Sequence, residues 1–251
     1  MGNNWVSTFD KTWETVIKHV PYLFQDFNVF GFDSSQLETL LKKYVGKRET
    51  CRMFEVNCGK GEMSIQLAKA FDYKVKGFDL ISDFVTMAKE RADAIHVEHI
   101  CEFSFGNSAD ELLKEDSYDL IIYDATTTQI GSPEESMLIV ADSVHEDGYI
   151  VLRVMLDIRE NPSYAIEGDW KEAISMANLR VVDQKYEDLS AFKQQEGKRL
   201  KFIEERINEL TFIYPQHDDD LRTYLKRRKR QYDDLDKGLM GITMLIGKDN
   251  L

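Results

Sequence analysis

From residue 50 onward, short apolar runs alternate with stretches whose apolar residues recur at helical spacing, and few folds accept that pattern. Met53–Val56 and Tyr73–Phe78 read as strands. Met63, Leu67, Ala70 and Phe71 between them fall on one helical face. A helical stripe of Phe84, Met87, Ala88 and Arg91 follows Ser82, and then come strands at Glu102–Phe105 and Tyr118–Tyr123. Ser132-Pro133-Glu134-Glu135 reads as a helix start, with Ser at the N-cap, Pro in the first position and Glu in the third. Gly148–Met155 is a fifth strand and Leu179–Tyr186 a sixth, separated by a helical stripe of Trp170, Ala173, Ile174 and Ala177. Leu239–Ile246 closes the series as a seventh. Strands separated by helices cannot pair as hairpins, so the pattern predicts a doubly wound, mostly parallel seven-stranded α/β sheet covered on both faces.

The flanks are helical. Trp5, Phe9 and Trp13 recur every four residues, and Leu37, Leu40, Leu41 and Val45 mark a second helix after the cap signal Ser34–Ser35. Roughly fifty residues separate strands six and seven, too many for a plain loop. They carry two helical stripes, Leu200, Ile203, Ile207 and Leu210, then Leu221, Leu225, Tyr232 and Leu235. With no Gly/Ser-rich or Pro-rich linker, residues 1–251 read as one domain. Within it lie an N-terminal helical segment (1–49), a core (50–187 and 238–251) and a helical cap insertion (188–237). The insertion leaves from the carboxyl end of strand six. It is therefore expected to overhang the crevice there, with Phe192, Tyr214 or Tyr224 reaching inward and the N-terminal helices forming the other wall.

Composition narrows the function classes. The net charge is −13, which argues against a partner such as nucleic acid or an anionic membrane, since both require a basic face. No apolar run approaches the ~18 residues of a membrane span, and Met1–Asp10 lacks a secretory signal pattern. Cysteines 51, 58 and 101 form neither a CxxC pair nor an even set, so a reducing, cytoplasmic setting and no cysteine-based metal site are expected.

Chemistry concentrates at Met53-Phe54-Glu55-Val56-Asn57-Cys58-Gly59-Lys60-Gly61, the turn from strand one into a helix. Gly59 and Gly61 permit a sharp turn and close approach of a ligand. Gly59–Ser64 nearly matches GxGxxG, which by itself suggests a dinucleotide site. Glu55 discriminates, because a carboxylate here repels a pyrophosphate and disfavours a nicotinamide-dependent oxidoreductase. S-adenosylmethionine has no phosphate and carries an ammonium beside a sulfonium, which a carboxylate attracts. Asp79 stands 24 positions later at the end of strand two, where an acid accepts hydrogen bonds from ribose hydroxyls.

With these residues in place, the chain resembles the class I S-adenosylmethionine-dependent methyltransferases over roughly residues 50–250. MFEVNCGKG is similar to their first motif and VKGFDLISDFVTMAKERA to their second, placing Glu55, Asn57, Cys58, Gly59, Gly61, Asp79 and Leu80 around the cofactor. FGNSADEL is similar to the third, which implies that Asn107 faces the adenine amino group and Ser108 flanks the ring. YDLIIYDA matches the fourth strand, ending at Asp124, and EDGYIVL the fifth. The closing MGITMLIGK after a helical insertion resembles small-molecule members. The resemblance implies a Rossmann-like fold, S-adenosyl-L-methionine as cofactor and no metal. It also implies methyl transfer to an O, N or S atom of a small molecule.

Two features depart from the family pattern. Asn57 stands where Gly is usual, and Ala125–Gly131 lacks the His that some members carry there. These departures motivate an alternative, a catalytically inactive protein that binds or senses the cofactor. If a base is needed, Asp124, His19 and His217 are the candidates; His96, His99 and His145 fall on the far edge of the sheet.

Overall fold

The computed structural model describes residues 11–28, 35–46, 50–114, 117–126, 130–157 and 167–249. Trp5, Phe9, Ser34 and Thr127–Gln129 lie outside the described residues.

The described residues build a seven-stranded sheet in the order β3-β2-β1-β4-β5-β7-β6. Its strands are β1 (Arg52–Val56), β2 (Lys74–Asp79), β3 (Cys101–Phe105), β4 (Tyr118–Asp124), β5 (Val144–Asp157), β6 (Leu179–Glu187) and β7 (Leu239–Lys248). The pairs β1–β2, β2–β3, β1–β4 and β4–β5 are parallel, and β7 runs antiparallel to both β5 and β6. This is the Rossmann-like architecture expected from the alternation. Strand order reverses between β1 and β4, and in open α/β sheets it is beyond the carboxyl ends at such a reversal that ligands bind.

The helices are α1 (Lys11–Val16), α2 (Val20–Leu23), α3 (Ser35–Tyr44), α4 (Glu62–Phe71), α5 (Ser82–Ala94), α6 (Ser108–Leu112), α7 (Pro133–Ser143), α8 (Glu167–Met176), α9 (Leu189–Ile213) and α10 (Asp218–Asp234). The Ser132 capping box is present in full, Ser132 with Glu135. Ser82 is the first helical residue of α5, and Ile81 occupies the N-cap. Strand β5 begins at Val144, four residues before Gly148; a register irregularity against Tyr118 and Leu120 absorbs the extra length.

Two apolar layers sandwich the sheet. Phe54, Val56, Ile121, Tyr123, Leu152 and Met244 pack with residues of α7 and α8. Met53, Val75, Leu120, Ile122, Val151 and Leu245 pack with residues of α3, α4 and α5. Because side chains alternate along a strand, this register puts Glu55, Asp79, Asp124 and Arg153 on the second face, at the carboxyl ends.

The insertion forms a third cluster. Ile203, Ile207 and Leu210 of α9 and Leu221 and Leu225 of α10 bury against Val16, Val20 and Leu23 of the N-terminal helices and Phe84 of α5. At its other end, Phe192 of α9 packs with Met155 at the end of β5, together with Leu235 and Leu239. The two ends of α9 are thus anchored on either side of β1 and β4. Buried side chains at 192, 196, 199, 203, 206, 207 and 210 form one inward face, with the spacing of an amphipathic helix.

Candidate functional site

Beyond β1 the backbone turns through three left-handed residues, Asn57 (φ 54°), Gly59 (φ 54°) and Gly61 (φ 71°). Gly61 has no alternative. A Cβ there would lie 2.9 Å from both Ala88 Cβ and Phe103 Cζ, besides meeting the positive φ. Gly77 on β2 has a different reason, since a Cβ would lie 2.8 Å from Cys58 Cβ. The missing side chain is what seats Cys58 against the sheet. Cys58 is buried, and burial raises its thiol well above the ordinary range, as expected of a packing residue rather than a nucleophile.

Internal hydrogen bonds hold the turn. Asn57 N–H donates to Ser108 Oγ (2.9 Å), Cys58 N–H to Phe78 O (2.9 Å), Gly59 N–H to Asp79 Oδ2 (2.9 Å) and Gly61 N–H to Cys58 O (2.9 Å). Asp79 also accepts from Ile81 N–H at Oδ1 (2.9 Å). It is 8% exposed, and burial pushes its carboxyl up to about 6 against the opposing pull of these backbone donors. Glu55, equally buried, accepts from the N–H (3.1 Å) and hydroxyl of Ser64 in the first turn of α4. Burial pushes Glu55 up to about 7, opposed by the Ser64 bonds, and the nearby Asp124 and Asp79 add to the rise. A cation entering here would reverse that cost.

Asp124 ends β4. Its carboxylate accepts from Thr126 N–H (3.0 Å) and the Thr126 hydroxyl, and lies 3.5 Å from Arg153 Nη1. Arg153 is fully buried on β5 and reaches Glu187 at 3.8 Å. Glu187 in turn takes the hydroxyl of Thr243 on β7. Asp124 is therefore tied into an ion network.

The third motif sits where its spacing suggests, but its polar groups serve the protein. Asn107 caps α6, its Oδ1 accepting from Ala109 N–H (3.0 Å). Ser108 is fully buried, accepts from Asn57 and donates to Phe78 O (3.1 Å). Leu80 is half-buried directly after Asp79. His19 and His217 come together as each other's partner, Nε2 to Nδ1 at 2.9 Å, with the Tyr214 ring beside both. Burial lowers His19, and His217 and Lys18 add to the effect. Phe192 and Tyr224 are packed in the clusters described above, Tyr224 beside Trp13.

Lys60 escaped the sequence reading. It is 2% exposed, and its Nζ donates to Phe24 O (2.7 Å) and Gln25 O (3.2 Å) just after α2. Burial lowers it to about 8, helped by Arg91. Arg206 of α9 donates to the neighbouring Leu23 O (2.8 Å) and pairs with Asp26. The glycine turn and the insertion thus grip the same helix end. A lysine between two glycines reads as solvent-exposed, and only the fold shows the carbonyls it meets.

Among the described residues no group of three or more His, Cys, Asp or Glu is placed to hold a metal, and no helix is long and apolar enough to cross a membrane.

A family model described as a methyltransferase domain matches residues 47–205. The chain is similar to the ribosomal protein L11 methyltransferase of Agathobacter rectalis, with 28% identity over 153 residues. That match takes in 59% of this chain and spans only 44% of the relative's length. Among solved structures, a SAM-dependent methyltransferase from Thiobacillus denitrificans in complex with S-adenosyl-L-homocysteine superposes with a TM-score of 0.74 at 15% identity, covering 91% of this chain and 97% of the other. A SAM-dependent methyltransferase from Geobacter sulfurreducens, also in complex with S-adenosyl-L-homocysteine, superposes at 0.73 with 15% identity, covering 92% and 98%. At such identities the likeness is one of fold.

Proposed function

The chain belongs to the methyltransferase domain family, and from that premise we propose that it transfers the methyl group of S-adenosylmethionine to an O, N or S atom of a small molecule. The observation that carries the cofactor assignment is the convergence of Glu55, Asp79 and Asp124 on one face of the sheet at the switch point, beside a glycine turn. Buried carboxyls held above their ordinary range suit a cation and oppose a pyrophosphate. Residues and cofactor fit in charge: Glu55 and Asp124 would hold the ammonium and sulfonium end, and Asp79 the ribose. Asn57, Cys58, Gly59 and Gly61 shape the turn, and Leu80, Asn107 and Ser108 border the adenine side.

When bound, the cofactor supplies an already electrophilic methyl carbon. The protein's part is to align the acceptor and exclude water. An acceptor that must lose a proton also needs a base. His19 and His217 stand at the junction of N-terminal helices and insertion, and their mutual hydrogen bond leaves one of them neutral.

The small-molecule reading rests on α9, anchored at Met155 on one side of β1 and β4 and at Phe84 on the other, so that it bridges the crevice. A protein acceptor is the second reading, favoured by what the Agathobacter relative is named for. The test is to follow S-adenosylhomocysteine formation with a panel of small amines, hydroxyls and thiols, and separately with ribosomal protein L11. Turnover with a small compound supports the first reading. Turnover with the protein alone replaces it, and cofactor binding without any turnover supports the inactive, sensing alternative.

A further inference from the structure

The turn after β1 poses a question of hydrogen-bond supply. S-adenosylmethionine brings a carboxylate as well as cations, and a carboxylate entering beside Glu55, Asp79 and Asp124 needs a donor. Four of the turn's N–H groups are engaged inside the protein. Those of Asn57, Cys58, Gly59 and Gly61 meet Ser108, Phe78, Asp79 and Cys58. In the first turn of α4, Ser64 N–H is on Glu55 and Ile65 N–H on Gly61 O. The ammonium of Lys60 is turned away toward Phe24 and Gln25.

A side-chain donor stands in the same turn. Asn57 Nδ2 is enclosed with no hydrogen-bond partner, although the residue as a whole stays partly exposed. An enclosed amide N–H without an acceptor is costly. Asn57 also sits at φ 54°, where glycine adopts the backbone without strain. Stability alone would favour glycine here on both counts, so the side chain is explained by something it binds.

We propose that Asn57 is a specificity residue of this site. Its side-chain amide donates a hydrogen bond to the carboxylate of the amino-acid end of S-adenosylmethionine, a task for which the N–H groups of Asn57, Cys58, Gly59 and Gly61 are already committed elsewhere. This deepens the cofactor assignment above and rests on it.

The test measures binding by calorimetry, with S-adenosylmethionine and decarboxylated S-adenosylmethionine as probes. The proteins are the wild type, Asn57→Gly and Asn57→Asp, each melted without ligand as well. Asn57→Gly is expected to weaken S-adenosylmethionine about tenfold or more, the loss of one bond to a charged acceptor. It should leave the decarboxylated compound nearly unchanged while raising the ligand-free melting temperature. Asn57→Asp is expected to weaken S-adenosylmethionine further and to spare the decarboxylated compound. A merely structural role would move both ligands together and lower the melting temperature. If Asn57→Gly shifts both ligands by the same factor, or neither, the assignment of Asn57 is overturned while the cofactor assignment stands. A wild type that binds neither compound overturns both.

Discussion

Asp79 and Glu55 were legible as residues because strand ends are legible: each directly follows a Phe at the carboxyl end of a short strand, the end at which such sheets bind ligands. Their environments were not. Asp79 binds the N–H groups of Gly59 and Ile81, so it shapes the turn besides the ribose role proposed for it. Asp79→Ala should therefore weaken S-adenosylmethionine binding by about 1–3 kcal/mol and also lower the ligand-free melting temperature; unchanged affinity in a folded mutant would remove the ribose role. The raised carboxyls have a further consequence. With Asp79 at about 6 and Glu55 at about 7, the folded protein keeps protons that the unfolded chain has released. Their contribution to stability is present below about pH 4 and is lost as pH rises toward about 7. A bound cation favours the ionised forms, so the cofactor's stabilising increment should grow from pH 5.5 to pH 8, and Glu55→Gln should flatten that growth. An increment that shrinks with pH would contradict the charge argument. Asn107 and Ser108 teach the converse lesson. Motif spacing located both, but only tertiary contacts reveal that one caps α6 and the other braces β1 to β2.

Among the elements, all seven strands were readable from the alternation, including the long gap before the last. Their order was not readable, because pairing depends on crossovers rather than on local pattern. That order creates the network of Asp124, Arg153, Glu187 and Thr243, which runs across β4, β5, β6 and β7 at the carboxyl end. In the sequence Arg153 is a lone charge inside an apolar strand; in the fold it is fully buried between two carboxylates. Arg153→Leu should leave those carboxylates without their common cation and lower stability by about 3–5 kcal/mol in urea titration. A loss under about 1 kcal/mol would mean that the network contributes little. Gly61 is the other element-level constraint, since it sets how closely α4 approaches α5. Gly61→Ala should destabilise the fold and weaken cofactor binding together, because the same turn serves both.

At the scale of the whole molecule, the insertion and the N-terminal helices form one apolar cluster that also takes in Phe84, five residues after Asp79. Amphipathic stripes in the sequence announced that these helices need a partner; which partner they meet is a property of the fold. Lys60 and Arg206 fasten that assembly to the turn through the carbonyls of Phe24 and Leu23 at the end of α2. A cover that admits an acceptor must open, so amide hydrogens in residues 189–234 should exchange faster than those of β1 and β4, and cofactor should slow them. Lys60→Met should speed exchange in residues 11–28 before it affects the sheet. The central claim is that the buried acids at the switch point select a cation-bearing nucleoside over a dinucleotide. It is tested most directly by thermal melting at pH 7.5 with S-adenosylmethionine and, separately, with NAD at equal concentration. The account predicts a rise with S-adenosylmethionine and none with NAD; an equal or larger rise with NAD would contradict it.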